Sequence, residues 1–289
     1  MNPSRLPDFL IIGAQKAGTT WLREQLRAHP DVFMPAEELH FFDHRHAYEK
    51  GAGWYADQFA EGADCSRVGD KTPEYLYLSE RADIPEGPRR IHDLLPDARL
   101  IVVLRDPVTR ALSAINHLVN EHYLSPLQSV RALLLGRKRR RLPWPVIEMG
   151  MYARQLAPFL ELYGEDSVLA LFYEDEIVGA PEAGIHRVCD FLEIRRQVSA
   201  ADVQRHPNRP RRSTVCLAVD HYAPALSRWT DAHDWRFPRY YPRLSRGATE
   251  QLYALYEPAN ERLFELLGRR PASGWSFAAS ERDREPTAS

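Results

Sequence analysis

The stretch LIIGAQKAGTTWL, residues 10–22, carries the spacing of a phosphate-binding loop with its lysine in the wrong place. Gly13 and Gly18 stand as in Gly-x-x-x-x-Gly. The residue after the second glycine, lysine in a kinase loop, is Thr19, and the lysine comes three places early, at Lys16. The apolar run before Gly13 reads as a buried strand, and Leu22 and Leu26 recur at helical spacing behind the loop. Thr19 or Thr20 is the expected cap of that helix. In a strand–loop–helix the loop amides and the helix N-terminus converge on one point of partial positive charge. That point suits a phosphate or sulfate. Gly18 lets the backbone come close, Thr19 and Thr20 add hydroxyls, and Lys16 faces the anion from within the loop.

Outward from this loop the pattern repeats. ARLIVVLRDP (98–107) and SVLALFYED (167–175) read as further buried strands. Helical patterns lie in RRIHDLL, VTRALSAINHLVNEH, YARQLAPFLELYG and AGIHRVCDFL, and the last long helix, GATEQLYALYEPANERLFELLG, is expected to kink or split at Pro258. Strands alternating with helices predict an α/β fold: a central parallel β-sheet flanked by helices. The 289 residues read as a single domain, with a core over about 8–268 and a polar tail at 279–289.

Composition narrows the function. The formal net charge is −2, which predicts no nucleic-acid partner, and no apolar run is long enough to span a membrane. No signal-peptide pattern opens the sequence, so a cytoplasmic protein is expected. Cys65, Cys189 and Cys216 are scattered and offer neither a disulfide framework nor a Cys-x-x-Cys metal pair. The basic residues are nearly all arginine; the lysines are Lys16, Lys50, Lys71 and Lys138. Lys16 and Lys71 therefore mark places where a compact charge is wanted over a planar one. The run Arg137–Arg141 is read as a solvated loop, or as a docking patch for an anionic acceptor.

A nucleoside triphosphatase needs an acidic metal ligand at the end of a neighbouring strand. Asp106 stands there, but Pro107 behind it makes Asp106 a helix cap. That leaves Arg105 at the strand end, and Ser113 two turns into the following helix. Arginine and serine together suit a terminal phosphate bound without a metal.

QKAGTTWL together with RDPVTRALSAINH resembles the sulfotransferases that use 3′-phosphoadenylyl sulfate (PAPS). HPDVFMPAEELHFFD, GAGWYADQF, DKTPEYLY and YEPANERLFELLG resemble the subgroup that includes the heparan sulfate sulfotransferases, and the likeness covers most of residues 8–268. The resemblance implies a P-loop-like sulfotransferase fold with PAPS as co-substrate and no metal. It implies that Lys16, Ala17, Gly18, Thr19 and Thr20 hold the 5′-phosphosulfate and that Arg105 and Ser113 hold the 3′-phosphate. A late basic loop closes over the nucleotide in relatives; HPNRPRRSTVC, with Arg211 and Arg212, occupies that place here. The glutamate two before the histidine position is the subgroup's general base, which maps to Glu38. Lys71 maps to a lysine at the sulfuryl group or acceptor.

Residues two apart in an extended segment face one side, so Glu38 and His40 are expected to line the cleft together, with Glu37 turned to solvent. Cytosolic-type relatives use a histidine base, which keeps His40 and His117 as alternatives, the latter four residues after Ser113 on one helix face. Trp54 and Tyr55 are read as packing, and Trp21 as core or a neighbour of the loop. The expected function is transfer of a sulfuryl group to a hydroxyl or amine of a glycan or small-molecule acceptor. The alternatives are a kinase using ATP and magnesium, and a nucleotide-binding protein without turnover.

Overall fold

The computed structural model describes residues 5–84, 86–197, 212–226, 234 and 238–282. The strands are β1 (Phe9–Gly13), β2 (Val32–Phe33), β3 (Arg67–Lys71), β4 (Arg99–Leu104) and β5 (Val168–Phe172). They form one five-stranded sheet in the order β2-β3-β1-β4-β5. Every pairing is parallel. Phe9, Leu10, Ile11 and Ile12 of β1 and Leu100 to Leu104 of β4 have no exposed surface. A strand covered on both faces needs an unbroken apolar run, which is how these segments read.

The chain runs outward from β1 to β3 and β2 on one side, then to β4 and β5 on the other. Strand order thus reverses beside β1. In open parallel sheets the crevice at such a reversal, outside the carboxyl ends of the strands, is where ligands bind. Gly13 ends β1, Lys71 ends β3, and Arg105 follows directly on β4. The loop, the second lysine and the strand-end arginine therefore share one edge of the sheet.

Local chemistry sets the helix boundaries. Helix α1 (Thr19–Arg27) is capped by Gly18 in the left-handed region at φ 90°, not by a threonine side chain. Thr19 and Thr20 sit inside the first turn instead. The stretch Pro73–Glu80 starts after Thr72 as a 3₁₀ helix with proline at its first position. The helix Arg246–Leu267 is continuous and carries Pro258 within it, correcting the expected split. The two-residue β2 was not legible, being too short for any period.

Contacts divide the chain into two compact units. One comprises 1–105, 152–207 and 259–274; the other comprises 106–151, 208–258 and 275–289. The first holds the sheet. The second is built on the helix Pro107–Asn120, whose Ala111, Ile115 and Leu118 are buried among Leu134, Ile147, Leu252 and Tyr256. Arg110 is fully buried there and donates to the carbonyl of Val146. Among the described residues no helix is long and apolar enough to cross a membrane.

Asp106 is the cap the sequence predicts: its Oδ1 accepts from the backbone N–H of Thr109 at 2.8 Å. Loss of this bond in Asp106→Ala is expected to cost about 1 kcal/mol, with Asp106→Asn close to the parent. Urea denaturation of the three proteins measures the difference.

Candidate active site

The loop Ala14–Gly18 is tied to β4 and closed on itself. Ala14 donates its N–H to Val103 O at 2.7 Å, and Ala17 donates to Ala14 O at 3.2 Å. Lys16 lies in the left-handed region at φ 66°, which turns the chain tightly enough to present the amides heading α1. The first-turn N–H groups of a helix have no intrahelical partner, so Gly18, Thr19 and Thr20 offer donors at one point. A Cβ on Gly18 would lie 2.8 Å from the ring of Tyr173, and the same ring lies 4.6 Å from the Arg105 guanidinium. Tyr173 therefore packs against the loop glycine and the strand-end cation together. Arg105 donates from Nη1 to Lys16 O at 3.0 Å, and its own carbonyl accepts from the Tyr152 hydroxyl at 2.8 Å.

Lys71 is the second cation at this edge. Its ammonium donates to Glu38 Oε1 and lies 3.4 Å from Thr20 Oγ1, in the first turn of α1. The Lys71 side chain is 2 % exposed, so its charge is desolvated and held by these partners. Glu38 and His40 do come together, with Oε2 and Nε2 at 3.5 Å. The means differs from the expected extended alternation, because His40 is left-handed at φ 49° and the chain turns there. His40 N donates to Thr72 Oγ1 at 3.4 Å, and His40 Nδ1 faces Asp43 Oδ2 at 2.9 Å. The result is a chain of polar contacts from Asp43 through His40 and Glu38 to Lys71.

The turn that carries Glu38 is tied to the sheet by a buried knot. Phe41 N donates to the Tyr75 hydroxyl at 3.0 Å, and Tyr75 and Tyr55 both donate to Asp70 Oδ2, at 2.9 and 3.0 Å. Burial pushes the Asp70 carboxyl up to about 6, although both tyrosines act to lower it. Tyr55 also stacks on Phe41 with ring centroids 4.2 Å apart, so its packing role stands. Trp21 is buried, and Trp54 lies under the Lys50 ammonium at 4.1 Å. Glu74 approaches the same cleft: carboxylate oxygens of Glu38 and Glu74 and a ring nitrogen of His40 lie within 4.8 Å of one another. Gln15 Nε2 donates to Glu74 Oε1 at 3.0 Å.

Electrostatics follow from these contacts. Burial acts to raise the Glu38 carboxyl, but the His40 hydrogen bond and the Lys71 ammonium outweigh it and hold the carboxyl at about 2. The Asp43 and Glu38 hydrogen bonds raise His40 to about 10 against the opposing effect of burial. His40 is thus an imidazolium at neutral pH, a cation clamped between two carboxylates and a poor base.

The other expected residues belong to the second compact unit. Ser113 and His117 lie on the helix Pro107–Asn120 in the second unit, both half-buried. His117 stacks on Trp144 at 5.3 Å between centroids. Arg212, also in that unit, is paired with Asp220. Arg211 lies outside the described residues. Arg137–Arg141 forms a 3₁₀ turn in which Arg139 pairs with Glu148 at 2.9 Å. The sequence reading missed Asp43, Asp70, Glu74, Tyr75 and Tyr173. Their one sequence signal is closeness to the named motifs, which does not separate a site residue from a neighbour.

His40 takes up its proton more tightly in the folded chain than at its ordinary 6.5. Its contribution to stability is therefore whole below about pH 6.5 and fades as pH rises toward 10. The stability gap between the parent and His40→Asn is expected to be larger at pH 6 than at pH 9.5, read by urea denaturation at each pH.

Comparison with known proteins agrees with this architecture. The sulfotransferase domain model matches residues 6–210. Heparan sulfate glucosamine 3-O-sulfotransferase 6 of Mus musculus is 31% identical over 280 residues, covering 92% of this chain and 73% of that protein. Heparan sulfate glucosamine 3-O-sulfotransferase 3A1 of Mus musculus is 32% identical over 270 residues, covering 92% of this chain and 64% of that protein. The crystal structure of a sulfotransferase from Alicyclobacillus acidocaldarius superposes with a TM-score of 0.68 at 24% identity, over 94% of this chain and 99% of that one. With a glycine-capped anion loop at the head of a parallel sheet, and that match across most of its length, the chain belongs to the sulfotransferase family.

Proposed function

We propose that the chain transfers the sulfuryl group of PAPS to a carbohydrate hydroxyl, with Glu38 taking the hydroxyl proton. One observation carries the reading: the Lys71 ammonium bridges Thr20, at the head of α1, and Glu38. An anion cradle and a carboxylate are thereby set one lysine apart. The relatives named as heparan sulfate glucosamine 3-O-sulfotransferases support a sugar hydroxyl as acceptor.

In this reaction the acceptor oxygen attacks sulfur, its proton passes to Glu38, and the bond from sulfur to the 5′-phosphate oxygen breaks. Lys16 and the amides of Gly18, Thr19 and Thr20 stabilise the charge that grows on the departing phosphate. One well-placed donor of this kind contributes on the order of 3–4 kcal/mol. Ala17 is part of the same loop backbone. Arg105, held by Lys16 O and Tyr173, takes the 3′-phosphate; for Ser113 the same assignment rests on the family resemblance alone. The resemblance to the family also assigns Arg211 and Arg212 to the nucleotide.

A carboxyl held at about 2 drives proton removal weakly. Lys71 resolves this. An anion arriving at the head of α1 competes with Glu38 for the ammonium, and as Lys71 turns toward it the carboxylate loses one of its two counter-charges and gains basicity. Donor binding thus prepares the base, while His40, anchored on Asp43, keeps the carboxylate in place.

Labelled-donor assays and calorimetry test these roles. Glu38→Gln is expected to keep the affinity for adenosine 3′,5′-bisphosphate and to lose about 10²–10⁴ in turnover. A near-normal rate in that variant would move the base to His40. Arg105→Ala should weaken the bisphosphate strongly and a nucleotide lacking the 3′-phosphate little; equal weakening refutes its assignment.

Lys71→Ala is expected to lower kcat and to move the acid limb of kcat/KM to higher pH. Removing the ammonium raises the free carboxyl from about 2 toward its ordinary 4.5. An unmoved limb would separate Lys71 from control of Glu38.

A further inference from the structure

A single side-chain pair joins the anion loop to the segment behind Lys71. Gln15 stands in the loop between Ala14 and Lys16, and its Nε2 donates to Glu74 Oε1 at 3.0 Å. Glu74 is the second residue of the 3₁₀ stretch Pro73–Glu80, which follows on Thr72 beyond the end of β3. That stretch is seated on β1. Thr72 N donates to Ile11 O at 3.2 Å, and a Cβ on Gly13 would lie 2.7 Å from Leu76 Cβ. Gln15 is 8 % exposed. Its Oε1 and Glu74 Oε2 are both buried, and neither has a hydrogen-bond partner.

Buried oxygens without a donor are costly, and here one proton satisfies two of them. An amide oxygen and an ionised carboxylate can only accept. A carboxyl that keeps its proton also donates, so Glu74 Oε2–H can turn to Gln15 Oε1 and give the pair a second hydrogen bond. We infer that Glu74 is a positioning residue of the anion loop: as a neutral acid it grips the Gln15 amide through both carboxyl oxygens and so braces the turn that carries Lys16.

The surroundings favour the neutral form. Burial and the Glu38 and Asp43 carboxylates push Glu74 above its ordinary 4.5, against the Gln15 hydrogen bond and the His40 imidazolium. The Lys71 ammonium, which faces the same cleft, is held by Glu38. A carboxyl oxygen of Glu74 lies within 4.8 Å of one on Glu38, yet Glu38 is held at about 2. Two neighbouring carboxyls are thus driven apart, one toward the anion and the other toward the acid. The difference matters beside an anion loop. An ionised Glu74 would repel the donor through Gln15, whereas the acid braces the loop without adding charge. That consequence rests on the sulfuryl-transfer reading; the neutral pair does not.

Infrared difference spectra and bisphosphate calorimetry on the full chain test the assignment. The spectrum of the parent minus that of Glu74→Gln at neutral pH is expected to show the carbonyl band of a protonated carboxylic acid, lost as pH rises. Carboxylate bands alone in that difference would overturn the neutral pair. Glutamine offers the loop amide the same two bonds, so Glu74→Gln should match the parent's affinity for adenosine 3′,5′-bisphosphate at about pH 6. Between about pH 6 and pH 9 the parent should lose affinity more steeply than Glu74→Gln, because Glu74 gives up its proton. Glu74→Ala strands the Gln15 amide and should weaken the bisphosphate about tenfold at about pH 6, with thermal melting confirming that it is folded. Full affinity in Glu74→Ala, or parallel pH profiles in the parent and Glu74→Gln, would overturn the positioning role. A parent that bound no bisphosphate at any pH would refute the sulfuryl-transfer reading instead, and the infrared band would still decide the pair.

Discussion

Parallel pairing around β1 is the constraint on which the site depends. β1 is hydrogen-bonded to β3 on one side and to β4 on the other, with Ile11 beside both Lys71 and Ile101. Because all three strands run the same way, their carboxyl ends and the residues just beyond them emerge at one edge. The anion loop, Lys71 and Arg105 meet there although they are far apart in sequence. Parallel strands need crossover connections, and those crossovers cover both faces of the sheet. That is why β1 and residues 100–104 of β4 are apolar.

The site is a charge-balanced assembly in which each ion is held by the next. Lys71 is nearly fully buried and is tolerated because Glu38 and Thr20 accept from it. Glu38 is fixed by Lys71 and His40, and His40 by Asp43. The turn bearing them is secured to β3 through Phe41, Tyr75 and Asp70, all buried. The Glu38 carboxylate therefore rests in an ion pair with Lys71.

Much of this was legible in the residues. The glycine spacing with a displaced lysine marked an anion loop, and Asp106-Pro107 marked a capped helix, since caps and proline positions act over three or four residues. The mode of capping at Gly18 and the turn at His40 were misread as threonine capping and extended alternation. The first rests on a glycine free to enter the left-handed region, the second on His40 entering it, which is uncommon for a residue with a side chain. Glu74, Tyr75 and Tyr173 escaped notice because their roles come from partners remote in the chain, such as Tyr173 against Gly18 and Arg105.

The sequence by itself determined the strand–loop–helix at the N-terminus, the alternation of strands and helices, and the identity of the charged residues at the strand ends. These follow from periodicity and local backbone chemistry, which operate within a few residues. Only the tertiary structure decided that Lys71 reaches Thr20 and Glu38 together, that His40 is pinned as a cation between two carboxylates, and that Tyr173 packs against the loop. Those facts depend on which strand lies next to β1 and on how far burial strengthens a charge pair, and neither is encoded by any local stretch of the chain.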